Sequence, residues 1–123
     1  MTASVLIIDD SQMVRTQVAN CLKAVGYAVL QARDGLEGME VLQQHSDTRL
    51  VVCDVNMPRM NGIEFLEGLK ANGFDVPVVM LTTEAQPDQI RKAKDLGAKG
   101  WLHKPFKPEH LVTAVKKWVP IGN

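Results

Sequence analysis

Four apolar runs, each closed by a residue able to do chemistry, constrain this chain more than any other feature in it. Val5-Leu-Ile-Ile8 leads into Asp9-Asp10, Leu50-Val-Val-Cys53 into Asp54, Val78-Val-Met-Leu81 into Thr82, and Gly100-Trp-Leu-His103 into Lys104-Pro105. The first three are continuous and do not alternate, as suits strands covered on both faces. In a parallel sheet every strand points the same way, so groups at equivalent strand ends converge on one edge, where open α/β sheets bind ligands. Three carboxylates, a hydroxyl and an ammonium are therefore expected to meet there.

Helical segments separate these runs. Met13, Val14, Val18, Cys21, Leu22 and Val25 recur at three- and four-residue spacings, with Ser11 as N-cap and Gly26 as stop. Tyr27 to Gln31 reads as a second, less apolar strand, and Leu36 to Gln44 as a helix carrying a Leu36, Met39, Leu42 stripe. Ile63, Phe65, Leu66 and Leu69 predict a third helix closed by Asn72-Gly73. A fourth opens at Pro87 and ends at Leu96-Gly97, and Pro108, Leu111, Val112, Val115 and Val119 mark a fifth before Pro120 and Gly122. Five βα units in tandem predict an α/β fold with a five-stranded parallel sheet and right-handed crossovers.

The 123 residues match the size of one domain, expected to span 1–123. Fourteen basic and fourteen acidic side chains cancel, which leaves no bulk field to steer the chain onto nucleic acid or an anionic membrane. No apolar stretch approaches the roughly 20 residues of a membrane span. The N-terminus lacks the parts of a signal peptide, so a cytoplasmic location is expected. Cys21 and Cys53 form no CxxC pair and read as buried, reduced thiols. His45, His103 and His110 have no partner spacing that suggests a metal site.

The Asp9-Asp10 pair after the first strand resembles the acid pocket of bacterial response-regulator receiver domains, and Asp54-Val-Asn-Met-Pro-Arg-Met-Asn-Gly62 resembles their phosphoacceptor loop. Leu81-Thr-Thr-Glu84 is similar to their switch segment, and Gly97-Ala-Lys-Gly-Trp-Leu-His-Lys-Pro-Phe106 to their Gly-Ala…Lys-Pro-Phe stretch. Four motifs in order, each at a strand end, make the likeness specific. It is nearest to the stand-alone, CheY-like chemotaxis type. The resemblance implies a flavodoxin-like (βα)5 doubly wound sheet with strand order 2-1-3-4-5.

Asp9, Asp10 and Asp54 at one edge repel one another, so at neutral pH they must bind protons or a cation. Three carboxylates without Cys or His form a hard oxygen site that suits Mg²⁺. Asp54 is the expected nucleophile, since an aspartyl phosphate has precedent in phosphoryl chemistry. By resemblance Asp10 is a direct metal ligand, Asp9 a water-mediated one, and Asn56 a ligand through its backbone carbonyl. Lys104 would pair with Asp54 at rest and with a phosphoryl oxygen afterwards, and the Lys104–Pro105 bond would be cis. A solvated surface lysine is the plainer alternative. Thr82 would bond a phosphoryl oxygen and carry the switch to Trp101, which relatives replace by a tyrosine, although Thr82 as an ordinary β-branched strand residue and Trp101 as a static, half-buried ring stay open. Asn56 and Glu84 would tune phosphoryl lifetime, with Glu84 as a plain loop acid the alternative. Thr83 stands where many relatives have Ala or Gly, which narrows donor access.

The function so implied is a phosphorylation-activated, single-domain response regulator of a two-component system. It is not a turnover enzyme. A sensor histidine kinase would supply the phosphoryl group, a phosphatase would remove it, and a flagellar motor switch protein would be contacted through the α4-β5-α5 face. A phosphorelay intermediate or a receiver that regulates a kinase is the alternative within the family. An aspartyl-nucleophile phosphohydrolase would need Asp-x-Asp, and residue 56 is Asn. A flavodoxin-like electron carrier would need a hydroxyl- and Gly-rich loop after the first strand, where Asp9-Asp10 stands.

Overall fold

The structure, a computed structural model, describes residues 3–83 and 86–120. Strands β1 (Ser4–Ile8), β2 (Ala28–Ala32), β3 (Thr48–Asp54), β4 (Val78–Thr82) and β5 (Gly100–His103) alternate with helices α1 (Gln12–Ala24), α2 (Gly35–Gln44), α3 (Gly62–Ala71), α4 (Pro87–Asp95) and α5 (Pro108–Trp118). All strand pairs are parallel, in the order β2-β1-β3-β4-β5. This is the flavodoxin-like (βα)5 arrangement implied by the motifs.

Alternation along the buried strands divides the core into two layers. Leu6, Ile8, Val51, Cys53 and Met80 face α2, α3 and α4, where Leu42, Phe65, Leu66 and Ala93 meet them. Val5, Ile7, Leu50, Val52, Val79 and Leu81 face α1 and α5, against Val18, Leu22, Leu111 and Val115. Continuous apolar runs arise because both faces of these strands are covered. Tyr27 precedes β2, and its hydroxyl donates to the Val119 carbonyl, joining the sheet to the end of α5. Strand β3 begins at Thr48, two residues before the apolar run, and an irregularity opposite Ser4–Val5 absorbs Arg49.

The helix boundaries follow local chemistry. The Ser11 hydroxyl accepts from the Val14 amide at the start of α1. Asn61 and Glu64 form a reciprocal capping box at α3. Gly26 and Gly97 follow the ends of α1 and α4 with φ of 103° and 99°, a left-handed turn that costs a residue with a side chain.

Two apolar expectations are corrected. Met13 is 72% and Leu36 40% exposed, so neither belongs to the core stripe of its helix. In α2 the buried positions are Gly35, Gly38 and Leu42. The helix approaches the sheet through its backbone at Gly38, where a Cβ would lie 2.4 Å from Ile8 Cδ1. Glycine carries no hydrophobic signal, so an apolar stripe misplaces this face. Cys53 is buried as expected, whereas Cys21 is only partly so.

Gly62, the first residue of α3, packs directly behind the end of β3. A Cβ there would sit 2.4 Å from the Asp54 carbonyl oxygen and 3.0 Å from Val55 Cα, both backbone atoms with no freedom to move aside. Gly62→Ala is expected to destabilise the fold by about 1–3 kcal/mol, measured by urea unfolding. An unchanged midpoint would show that the β3–α3 junction yields at no cost.

Candidate functional site: an acidic pocket at the carboxyl ends of the strands

Strand ends deliver the site. Asp9 follows β1 and is fully buried, and Asp54 closes β3 at 5% exposure. Asp10 is exposed beside them. One oxygen from each of these carboxylates lies within 4.8 Å of the other two. Lys104, immediately after β5, reaches back with its ammonium 2.6 Å from Asp9 Oδ2 and 3.4 Å from Asp54 Oδ2. The lysine is 14% exposed, which rules out a freely solvated surface residue. It pairs with Asp54 as expected and lies closer still to Asp9, across the end of β3 from β5. The Lys104–Pro105 bond is cis.

Backbone contacts hold the two buried acids. Asp9 Oδ1 accepts from the Ser11 amide at 2.9 Å, and Asp54 Oδ1 from the Asn56 amide at 3.4 Å. The Asp9 amide donates to the Ala32 carbonyl of β2 at 3.1 Å, while its own carbonyl accepts from Arg15 Nη1 at 2.7 Å. Thr82 is buried at the end of β4, and its carbonyl accepts from the Lys104 amide at 2.7 Å. The switch candidate Thr82 and the lysine are thus tied edge to edge. Trp101 is partly buried against the α2–α4 layer, with its indole nitrogen enclosed and without a hydrogen-bond partner among the described residues. Asn56 is exposed on the β3–α3 loop and Thr83 just beyond β4. Glu84 lies outside the described residues.

The buried acids raise one another's electrostatic cost. Burial pushes the Asp54 carboxyl up to about 6, and the neighbouring Asp9 charge pushes the same way; the Lys104 ammonium opposes both. Burial and then the Asp54 and Asp9 charges also raise the Cys53 thiol well above its ordinary value, which leaves it inert. Asp9 Oδ2 is enclosed and faces the Lys104 ammonium in an ion pair. A divalent cation fits this donor set. Clustered carboxylate oxygens with no Cys or His among them suit a hard cation such as Mg²⁺.

The profile of the response regulator receiver domain matches residues 5–116. The chain belongs to the receiver domain family. The receiver is 37% identical over 109 residues to chemotaxis protein CheY1 of Helicobacter pylori strain J99, covering 86% of this chain and 88% of that one. Its fold matches chemotaxis protein CheY4 of Vibrio cholerae with a TM-score of 0.89 at 38% identity, over 96% and 99% of the two chains. It also matches a chain of the CheX-CheY-BeF3-Mg²⁺ complex of Borrelia burgdorferi with a TM-score of 0.88 at 25% identity, over 94% and 87%.

Three contributors to the receiver's acidic edge escaped sequence reasoning. Arg15 on α1 holds the Asp9 carbonyl, and Arg59 forks onto the buried Asp34 at 2.7 and 3.0 Å. Asp34 before Gly35 carries a readable N-cap signal. The arginines carry none, since a lone arginine on a helix or loop reads as solvated.

The raised Asp54 pKa has a definite sign. A carboxyl raised in the native state adds stability below its unfolded value of 3.8, and that stability is lost as pH rises through about 6. In metal-free buffer Asp54→Asn is expected to raise the melting temperature relative to wild type above pH 6, with the gap shrinking towards pH 4. A variant less stable than wild type at pH 7 would mean that the Lys104 pairing outweighs burial and Asp9.

Proposed function

We propose that this receiver is the phosphorylation-controlled switch of a two-component system, acting in the cytoplasm by contact with other proteins. The observation that carries the reading is Asp54, a carboxylate 5% exposed at the end of β3, beside Asp9 and Asp10 and 3.4 Å from the Lys104 ammonium. An Asp54 carboxylate oxygen attacks the phosphorus of a donor, a sensor kinase's phosphohistidine or a small acyl phosphate. The donor's P–N or P–O bond breaks, and the leaving group departs with the electron pair. Asp54 must be ionised to attack, a condition met above its pKa of about 6.

Asp10, Asp54 and the Asn56 carbonyl would hold Mg²⁺ directly, and Asp9 through water. When bound, the ion neutralises charge on the transferring group. Lys104 exchanges its carboxylate partner for a phosphoryl oxygen, which its flexible stem permits. Thr82, at the neighbouring strand end, donates its hydroxyl to another. Because the Thr82 carbonyl already receives the Lys104 amide, a pull on the threonine is felt at β5, where Trp101 sits. The enclosed indole nitrogen, without a partner among the described residues, favours a second position for this ring, and the α4-β5-α5 face is the surface such a movement would remodel. Asn56 and Glu84 would tune the lifetime of the phosphorylated state.

The likeness to chemotaxis proteins of Helicobacter and Vibrio supports a flagellar motor switch protein as target, and the Borrelia complex supports a phosphatase-type partner. The catalysis is confined to gaining and losing one phosphoryl group, which makes the chain a signalling protein and not a turnover enzyme.

Intact-protein mass after incubation with acetyl phosphate is the direct test. A gain of one phosphoryl group is expected for wild type with Mg²⁺, and none for Asp54→Asn or without the metal. No gain by wild type, with chemical trapping to exclude fast loss, would remove the reading. In a Trp118→Phe background, phosphorylation is expected to shift Trp101 emission; an unchanged spectrum would identify a static ring.

A further inference from the structure

The loop joining β3 to α3 carries the Asn56 carbonyl assigned to the metal under the proposed function, and it is clamped at a place remote from that carbonyl. Arg59 has a φ of 64°, the one positive value at a non-glycine residue among the described residues. Such a backbone is disfavoured for a residue with a Cβ and persists where its surroundings impose it. Here the imposing contact is visible. Arg59 Nε donates to Asp34 Oδ2 at 2.7 Å and Nη2 to Oδ1 at 3.0 Å, a forked pair with a carboxylate only 2% exposed. Oδ1 also accepts from the Glu37 amide, the N-cap bond of α2. Next door the Gly35 amide donates to the Met60 carbonyl at 3.1 Å, and a Cβ on Gly35 would lie 2.9 Å from that oxygen. The far half of the loop is therefore fastened to the N-terminus of α2, while the Gly62 amide closes onto the Val55 carbonyl at 2.9 Å.

Arg59 and Asp34 also share a cleft of about 500 Å³ with Asp10, Arg33 and Pro58. The guanidinium thus lies on the same cleft as the exposed carboxylate of the acid cluster, yet its hydrogen bonds go to Asp34. We propose that Arg59 is a positioning residue for the metal site: its fork onto Asp34 fixes the loop that presents Asn56, and Asp34 keeps the guanidinium from competing with the cation for Asp10. The inference rests on the Mg²⁺ site of the proposed function.

Charge and positioning predict opposite signs. If Arg59 acted only as a nearby positive charge, its removal would tighten Mg²⁺ binding. As a clamp, its loss weakens binding by about tenfold, the scale on which residues supporting metal ligands act. The experiment measures Mg²⁺ dissociation constants by calorimetry on the full chain, together with hydrogen exchange of the 56–60 amides without metal. Arg59→Ala, Arg59→Gly, which relieves the backbone, and Arg59→Lys, which keeps charge but not the fork, are each expected to weaken binding and to speed exchange. Asp34→Asn keeps a cap acceptor but frees the guanidinium, so it is expected to weaken binding more than Arg59→Ala, and the double variant to return to the Arg59→Ala value. Absence of Mg²⁺ binding by wild type would overturn the functional reading beneath this one. Wild-type binding with an unchanged or lower dissociation constant in Arg59→Ala and Arg59→Gly would overturn the clamp alone.

Discussion

Lys104 Nζ lies 2.6 Å from Asp9 and 3.4 Å from Asp54, and this shared ammonium makes two carboxylates at neighbouring strand ends tolerable inside the protein. Like charges about 4 Å apart near a protein surface repel by about 4 kcal/mol, and one cation between two anions offsets only part of their desolvation and repulsion. The remainder appears as the raised Asp54 carboxyl. Such a pocket gains from any further positive charge, and the exposed Asp10 leaves one side open for it. The affinity for a cation is thus the other face of the fold's own electrostatic cost.

That cost is sustained because the groups sit on the stiffest parts of the molecule. Asp9 and Asp54 leave adjacent strands β1 and β3 whose apolar residues are wholly buried, and their positions follow from register: Ile8 pairs with Cys53. Lys104 is held by its amide to Thr82 across the β4–β5 boundary. The sheet edge therefore cannot relax by separating the acids. Under the proposed function, the ring of Trp101 lies outside this edge and is the part left to report chemistry at it.

A second group of charges braces the pocket from outside. Arg15 binds the Asp9 carbonyl from α1, and Arg59 binds Asp34 at the head of α2. Burial raises the Asp34 carboxyl, but the hydrogen bonds from Arg59 and the Glu37 amide, with the Arg59 charge, more than offset it and leave it below the ordinary value. The carboxylate so held contributes stability above its unfolded value of 3.8 and loses it as pH falls. The two acids Asp34 and Asp54 thus respond to pH in opposite directions, one locking a loop and the other waiting for a partner.

The strands, their parallel order and the convergence of Asp9, Asp54, Thr82 and Lys104 were legible from residue pattern and motif, because a buried strand must be apolar on both faces and its polar ending stands out against it. The helices were legible in extent but less so in orientation. Leu36 lies outside because α2 approaches through Gly38, and a glycine contact leaves no trace in hydrophobicity. Nor did the sequence reveal that Lys104 lies nearer Asp9 than Asp54, or that Arg59 spends its charge on Asp34. Local chemistry, burial and chain order are properties of residues and their neighbours along the chain, and these the sequence by itself determined. Which of two carboxylates a lysine prefers, and where an exposed-looking arginine finds its partner, depend on distances between segments 25 to 95 residues apart, and only tertiary packing decided them.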